Sequence, residues 1–72
     1  MKSIIFNALV KKYEALIEES RATLEIYFNN PSGIGEHPGI LEEMDKLIEQ
    51  MESASGRLET LMNNFDNYRI KE

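Results

Sequence analysis

The sequence predicts an all-α protein: an antiparallel two-helix hairpin that dimerises into a four-helix bundle. Three observations predict it. Apolar residues recur at steps of three and four over two long stretches, Phe6 to Tyr27 and Ile40 to Tyr68, and nothing alternates with the period of two that a half-buried strand needs. One segment rich in turn residues, PSGIGEHPG from Pro31 to Gly39, separates the stretches and holds both prolines and all but one of the glycines. The helices also carry more apolar side chains than one folded-back pair can hide.

Helix 1 is expected from about Ser3 to about Phe28, with Ser3 as N-cap. Its stripe is Phe6, Leu9, Val10, Tyr13, Leu16, Ile17, Leu24 and Tyr27. In heptad terms Phe6, Tyr13, Ser20 and Tyr27 take position a, Leu9, Leu16 and Thr23 take d, and Val10, Ile17 and Leu24 take e. Ser20 and Thr23 therefore interrupt the seam with hydroxyls.

The connector spans about residues 29–37. NPSG, Asn30 to Gly33, carries the residue types of a type I turn, and Asn29 or Asn30 can close helix 1 in a left-handed conformation. Gly33 and Gly35 admit positive φ around Ile34, whose side chain can plug the end of the hairpin. GIGEHPG has no lysine and no preceding strand, so it is not a phosphate-cradling loop. Glu36 and His37 are adjacent, point apart and lack further ligands, so no metal site is expected. Exposed connectors commonly carry recognition, which makes Gly33, Ile34, Gly35, Glu36 and His37 a candidate partner loop.

Helix 2 is expected from about Pro38 to about Asp66, with a frayed tail over residues 67–72. Ile40, Met44, Leu47, Met51, Ala54, Leu58, Leu61, Phe65 and Tyr68 alternate steps of four and three, and Leu41, Ile48, Ser55 and Met62 lie beside them at e. Pro38 suits a first helical position, and Glu42, Glu43 and Asp45 favour the positive end of the dipole. Glu42 and Lys46 are spaced to pair.

The segment from Asn29 to Phe65, NNPSGIGEHPGILEEMDKLIEQMESASGRLETLMNNF, resembles small helical proteins encoded by tailed phages infecting marine cyanobacteria, in which a GIGEHP-type turn joins two acidic helices. The resemblance covers the second half well and the first half only as a helical pattern. It implies a viral source, hence a host cytoplasm, and no particular activity.

Folding the chain back at the connector sets residues whose numbers sum to about 67 opposite each other. Phe6 then meets the Leu61 layer, Tyr13 the Ala54 layer, Ser20 the Leu47 layer and Tyr27 the Ile40 layer. Around Ala54 the run SASG, Ser53 to Gly56, offers little bulk, and close helix approach or a local kink would account for Gly56. The e positions Val10, Ile17, Leu24, Leu41, Ile48 and Met62 are left over, and these six are the expected oligomer interface of a symmetric homodimer.

Composition narrows the function classes. Seventy-two residues make one small domain, and with no cysteine there is neither a disulfide nor a thiolate metal site to staple it. The formal charge is −5, with eight of the thirteen acidic residues in residues 37–72, so phosphate backbones are repelled and no nucleic-acid partner is expected. No apolar run approaches the length of a membrane span, and MKSIIFNALVKKYEA lacks a long apolar core and a small-residue cleavage site. A mature cytoplasmic protein with no membrane partner is expected.

No Ser-His-acid set, thiol or Glu-x-x-His motif stands out, so the chain is expected to be no enzyme and to need no cofactor. The leading expectation is a non-catalytic, self-associating structural or interaction protein. The alternative is an adaptor that docks on a host or phage protein through residues 31–39 or its acidic face. An acidic nucleic-acid mimic presenting Glu18, Glu25, Glu42, Glu49, Glu52 and Glu59 fits less well, because −5 is a modest charge for that role.

Overall fold

The computed structural model describes residues 1–30 and 39–69. Helix α1 runs Lys2–Phe28 and helix α2 Ile40–Phe65, followed by one 3-10 turn, Asp66–Tyr68. Three contacts at different heights fix the two helices as antiparallel. Leu24 packs with Ile40 and Met44 near the connector, Ser20 bonds Gln50 further along, and Phe6 and Leu9 border a groove with Leu61 and Phe65 at the open end. The expected all-α hairpin is thus formed, close to the expected register: Tyr27 joins the Ile40 cluster, and Ser20 bonds a residue about one turn beyond Leu47.

The molecule is a rod of 49 × 18 × 15 Å with a radius of gyration of 16.0 Å, against about 11 Å for a compact domain of this length. Two helices side by side can enclose only one layer of side chains. Phe6, Leu24, Ile40, Met44 and Ala54 are the buried apolar residues among those described, with Tyr27, Leu47 and Met51 packed against them.

The two hydroxyls in the α1 seam are accommodated by hydrogen bonding. Ser20, fully buried, donates from Oγ to the Leu16 carbonyl at 2.9 Å and accepts from Gln50 Nε2 at 2.8 Å. Both capacities of a buried hydroxyl are therefore used, and its burial carries little penalty. Thr23 Oγ1 donates to the Glu19 carbonyl at 3.0 Å. The bond between Ser20 and Gln50 also ties one helix to the other at a single height, so it helps set the register.

Several local expectations are corrected. The helix begins before Ser3: Met1 is the N-cap, without a side-chain cap bond, and the Met1 carbonyl accepts from the Ile5 N–H at 3.1 Å. Asn29 closes α1 at φ −89°, not in the left-handed region, with its N–H bonded to the Glu25 carbonyl at 3.0 Å. Helix α2 starts at Ile40 with Gly39 as N-cap, and Glu42 and Glu43 occupy its first turn. Pro38 lies outside the described residues, as do the turn NPSG beyond Asn30 and the segment Gly33 to His37.

Glu42 and Lys46 do not pair; the one ion pair among the described residues is Arg69 with Asp66, at 3.0 Å. Exposed long side chains lose as much rotamer freedom as such a contact returns. Gly56 neither meets α1 closely nor interrupts α2: a Cβ placed there would find nothing within 4 Å, and the helix continues unbroken to Phe65. The expected frayed tail, residues 67–72, reaches beyond the described residues. Tyr68 stacks on Phe65 with centroids 6.5 Å apart, and Arg69 folds back over the Phe6 ring at 5.8 Å, so aromatic and cationic contacts hold the turn on the open end.

Candidate functional site

Antiparallel helices place the e positions of both on the same side of their seam, because the two screws advance toward each other. Val10, Ile17 and Leu24 of α1 thereby share one face of the rod with Leu41, Ile48, Ser55 and Met62 of α2. In this register Val10 falls between the Met62 and Ser55 levels, Ile17 between Ser55 and Ile48, and Leu24 between Ile48 and Leu41. The face is graded in burial. Leu41 is 75% exposed and Ile48 48%, whereas Val10, Ile17 and Met62 are half-buried.

Leu24 departs from the expectation: at 5% exposure it belongs to the core of the single hairpin, with Ile40 and Met44, and does not await a second copy. Near the connector the two helices approach through large side chains, and Leu24 sits close enough to the seam to be enclosed by them. Its place on the open face is taken by Phe28, 66% exposed and level with Leu41. The stripe pattern places Phe28 only at the end of helix 1, although it stands four residues beyond Leu24, on the same flank.

At the open end, Ile5, Phe6, Leu9, Leu61, Phe65 and Tyr68 line an apolar groove of about 390 Å³ with Lys2 at its rim. The Lys2 ammonium lies 5.6 Å from the Tyr68 ring centroid, a cation–π distance. A second hollow of about 530 Å³ lies beside Tyr13, bordered by Glu52, Ser53, Gly56, Arg57, Thr60 and Leu61. Tyr13 does face the small residues of SASG, but that shortage of bulk leaves an open hollow and not a tight interlock. Among the described residues, no group of three His, Cys, Asp or Glu side chains converges on a point that could hold a metal ion, and no helix is long and apolar enough to cross a membrane. The candidate partner loop, Gly33, Ile34, Gly35, Glu36 and His37, lies outside the described residues.

A second apolar exposure lies outside the seam pattern. Ile4 and Ile26 are 66% and 65% exposed on the outer side of α1, and Ile5 and Met1 are exposed as well. Ala8, Ala15 and Ala22, also exposed, lie between them. The signal was present in the spacing of four, seven, seven and four residues from Ile4 to Ile26.

No protein-family model, curated protein or solved structure matches the chain.

Proposed function

We propose that the chain is a non-catalytic, self-associating helical hairpin whose unit is a symmetric homodimer, a four-helix bundle closed through the face of Val10, Ile17, Leu41, Ile48 and Met62, with Phe28 at its edge. One observation carries this. The hairpin exposes 5666 Å², whereas a compact monomer of 8.3 kDa exposes about 4,600 Å². The excess of about 1,100 Å² is close to what each partner contributes to an ordinary interface, about 800 Å², with a margin left over.

The energetics point the same way. Taking Leu41 and Ile48 from their present exposure to full burial is worth roughly 1–2 kcal/mol each. A single layer of core residues supplies little stability for a chain of this length, so contributions of that size decide whether the fold is populated. A structural or interaction role, in a phage accessory setting if the GIGEHP-type turn is a guide, is the function that such a unit supports.

Sedimentation equilibrium over a range of concentrations tests this. The wild type is expected at a multiple of 8.3 kDa, and the L41E/I48E variant at half the wild-type mass with its helix content retained. A wild type that stays monomeric at high concentration, or a variant whose mass does not change, would sink the proposal.

A further inference from the structure

We infer that the outer face of α1 is a second self-association surface, against which α1 of another copy packs antiparallel about a two-fold axis at Ala15. This goes beyond the bundle proposed above, because it uses a different side of α1.

Ile4, Ala8, Ala15, Ala22 and Ile26 lie nearly in line along the helix, since residues eleven apart fall close to three full turns. Ile4 and Ile26 are about two-thirds exposed, and the three alanines between them are exposed too. Among the described residues nothing covers this line. Its order is the same read in either direction from Ala15. An antiparallel copy centred there sets Ile4 against Ile26, Ala8 against Ala22, and Ala15 against itself. The alanines allow the backbones to approach, and the isoleucines close the two ends.

The charges beside the line choose the occupant. Lys12 and Glu19 flank it on one edge, Lys11 and Glu18 on the other, and all four are exposed. In an antiparallel pair each edge meets the same edge of the second copy, one residue out of level. Lys12 of each copy then sits beside Glu19 of the other, and Lys11 beside Glu18, giving four opposite-charge pairs by symmetry. A parallel pair would set lysine against lysine and glutamate against glutamate. None of the four is used inside the hairpin, whose one ion pair among the described residues is Arg69 with Asp66. A face that supplies both halves of its own complement fits a second copy of this chain. With the bundle face also occupied, two isologous contacts with intersecting, perpendicular two-fold axes close a tetramer.

Charge reversal tests both the face and its direction. K11E/K12E makes all four flanking charges acidic and E18K/E19K makes all four basic, so neither variant should pair with itself here. Mixed together, the two are complementary at every position. The expected result is a wild type twice as heavy as either variant by sedimentation equilibrium, with the equimolar mixture regaining the wild-type mass. Circular dichroism of each variant should match the wild type, because all four side chains are exposed. The sequence has no native cysteine, so register can be read by oxidation: Ala15→Cys should cross-link with itself, and Ala22→Cys only with Ala8→Cys.

Equal masses for the wild type and both variants would overturn the inference, leaving the isoleucines to a partner of other chemistry. Self-cross-linking of Ala22→Cys as fast as Ala15→Cys would overturn it equally. A wild type that loses mass in L41E/I48E but not in the charge variants removes this contact and leaves the bundle. The reverse pattern keeps this contact and removes the bundle.

Discussion

Gly56 sits within the unbroken helix α2, exposed to solvent, with a helical backbone and no positive φ. Its replacement by alanine tests whether that side of α2 is free of neighbours. A Cβ built at Gly56 finds no heavy atom within 4 Å beyond its own helix, so the substitution introduces no clash and gains essentially no new contact. What remains is the backbone term. Glycine samples more unfolded conformations than alanine and is less favourable within a helix by about 1 kcal/mol. In a domain of this size a change of that magnitude moves the midpoint of thermal unfolding upward by about 4–8 °C. Far-UV circular dichroism melts of the wild type and Gly56→Ala, at one protein concentration so that association contributes equally, give the number directly. An unchanged or lowered midpoint would refute the reasoning. It would mean that Gly56 is held against something absent from the hairpin, and that small size, not backbone tolerance, is what the position requires.

Four further substitutions read other layers of the rod. Ser20→Leu forces a large side chain into a site with no exposure and displaces Gln50, and is expected to cost about 1–3 kcal/mol in urea unfolding. Ser20→Ala should cost about 1 kcal/mol or less, because the half-buried Gln50 amide can turn to water. Phe6→Ala removes the one buried aromatic of the open end and is expected to cost about 3–5 kcal/mol, enough to leave much of a small domain unfolded at low concentration. Arg69→Ala breaks exposed contacts with Asp66 and Phe6 and should cost under about 1 kcal/mol; hydrogen exchange should speed up over Asp66–Arg69 while the Leu24 cluster stays protected.

The seam of α2 was legible because almost nothing competes with it. Its apolar residues form one narrow stripe with e positions alongside, and every position on the next row out, Asp45, Glu52 and Glu59, is acidic. Such a pattern has one solution. Ser20 was harder. A hydroxyl in a seam reads as a flaw until a partner is found, and the partner, Gln50, is thirty residues away in sequence. The helix ends were least legible. Ser3 has the chemistry of an N-cap, but Lys2 is already helical with Met1 before it, and no sequence rule weighs two further residues of backbone bonding against one cap. The tail is a related case. Asparagines near Phe65 predict fraying, yet Tyr68 and Arg69 find aromatic surfaces that only the closed hairpin brings within reach.

Helix α1 explains why the candidate surface was only partly foreseen. Searching for a stripe assumes that the rest of the helix is polar, and on α1 it is not: Ile4, Ala8, Ala15, Ala22 and Ile26 stand well away from the seam that Phe6 and Leu24 bury. A helix that is apolar on more than one side belongs inside an assembly with more than one neighbour. In the isolated hairpin, α2 is its only neighbour among the described helices. The asymmetry between the helices is therefore physical information. Helix α2 presents acidic rows to water and needs cover only along its e positions, whereas α1 needs cover on two sides beyond its seam. Any assembly that satisfies the chain must place α1 toward its centre and α2 toward its surface, and the bundle and the antiparallel α1 contact together do so.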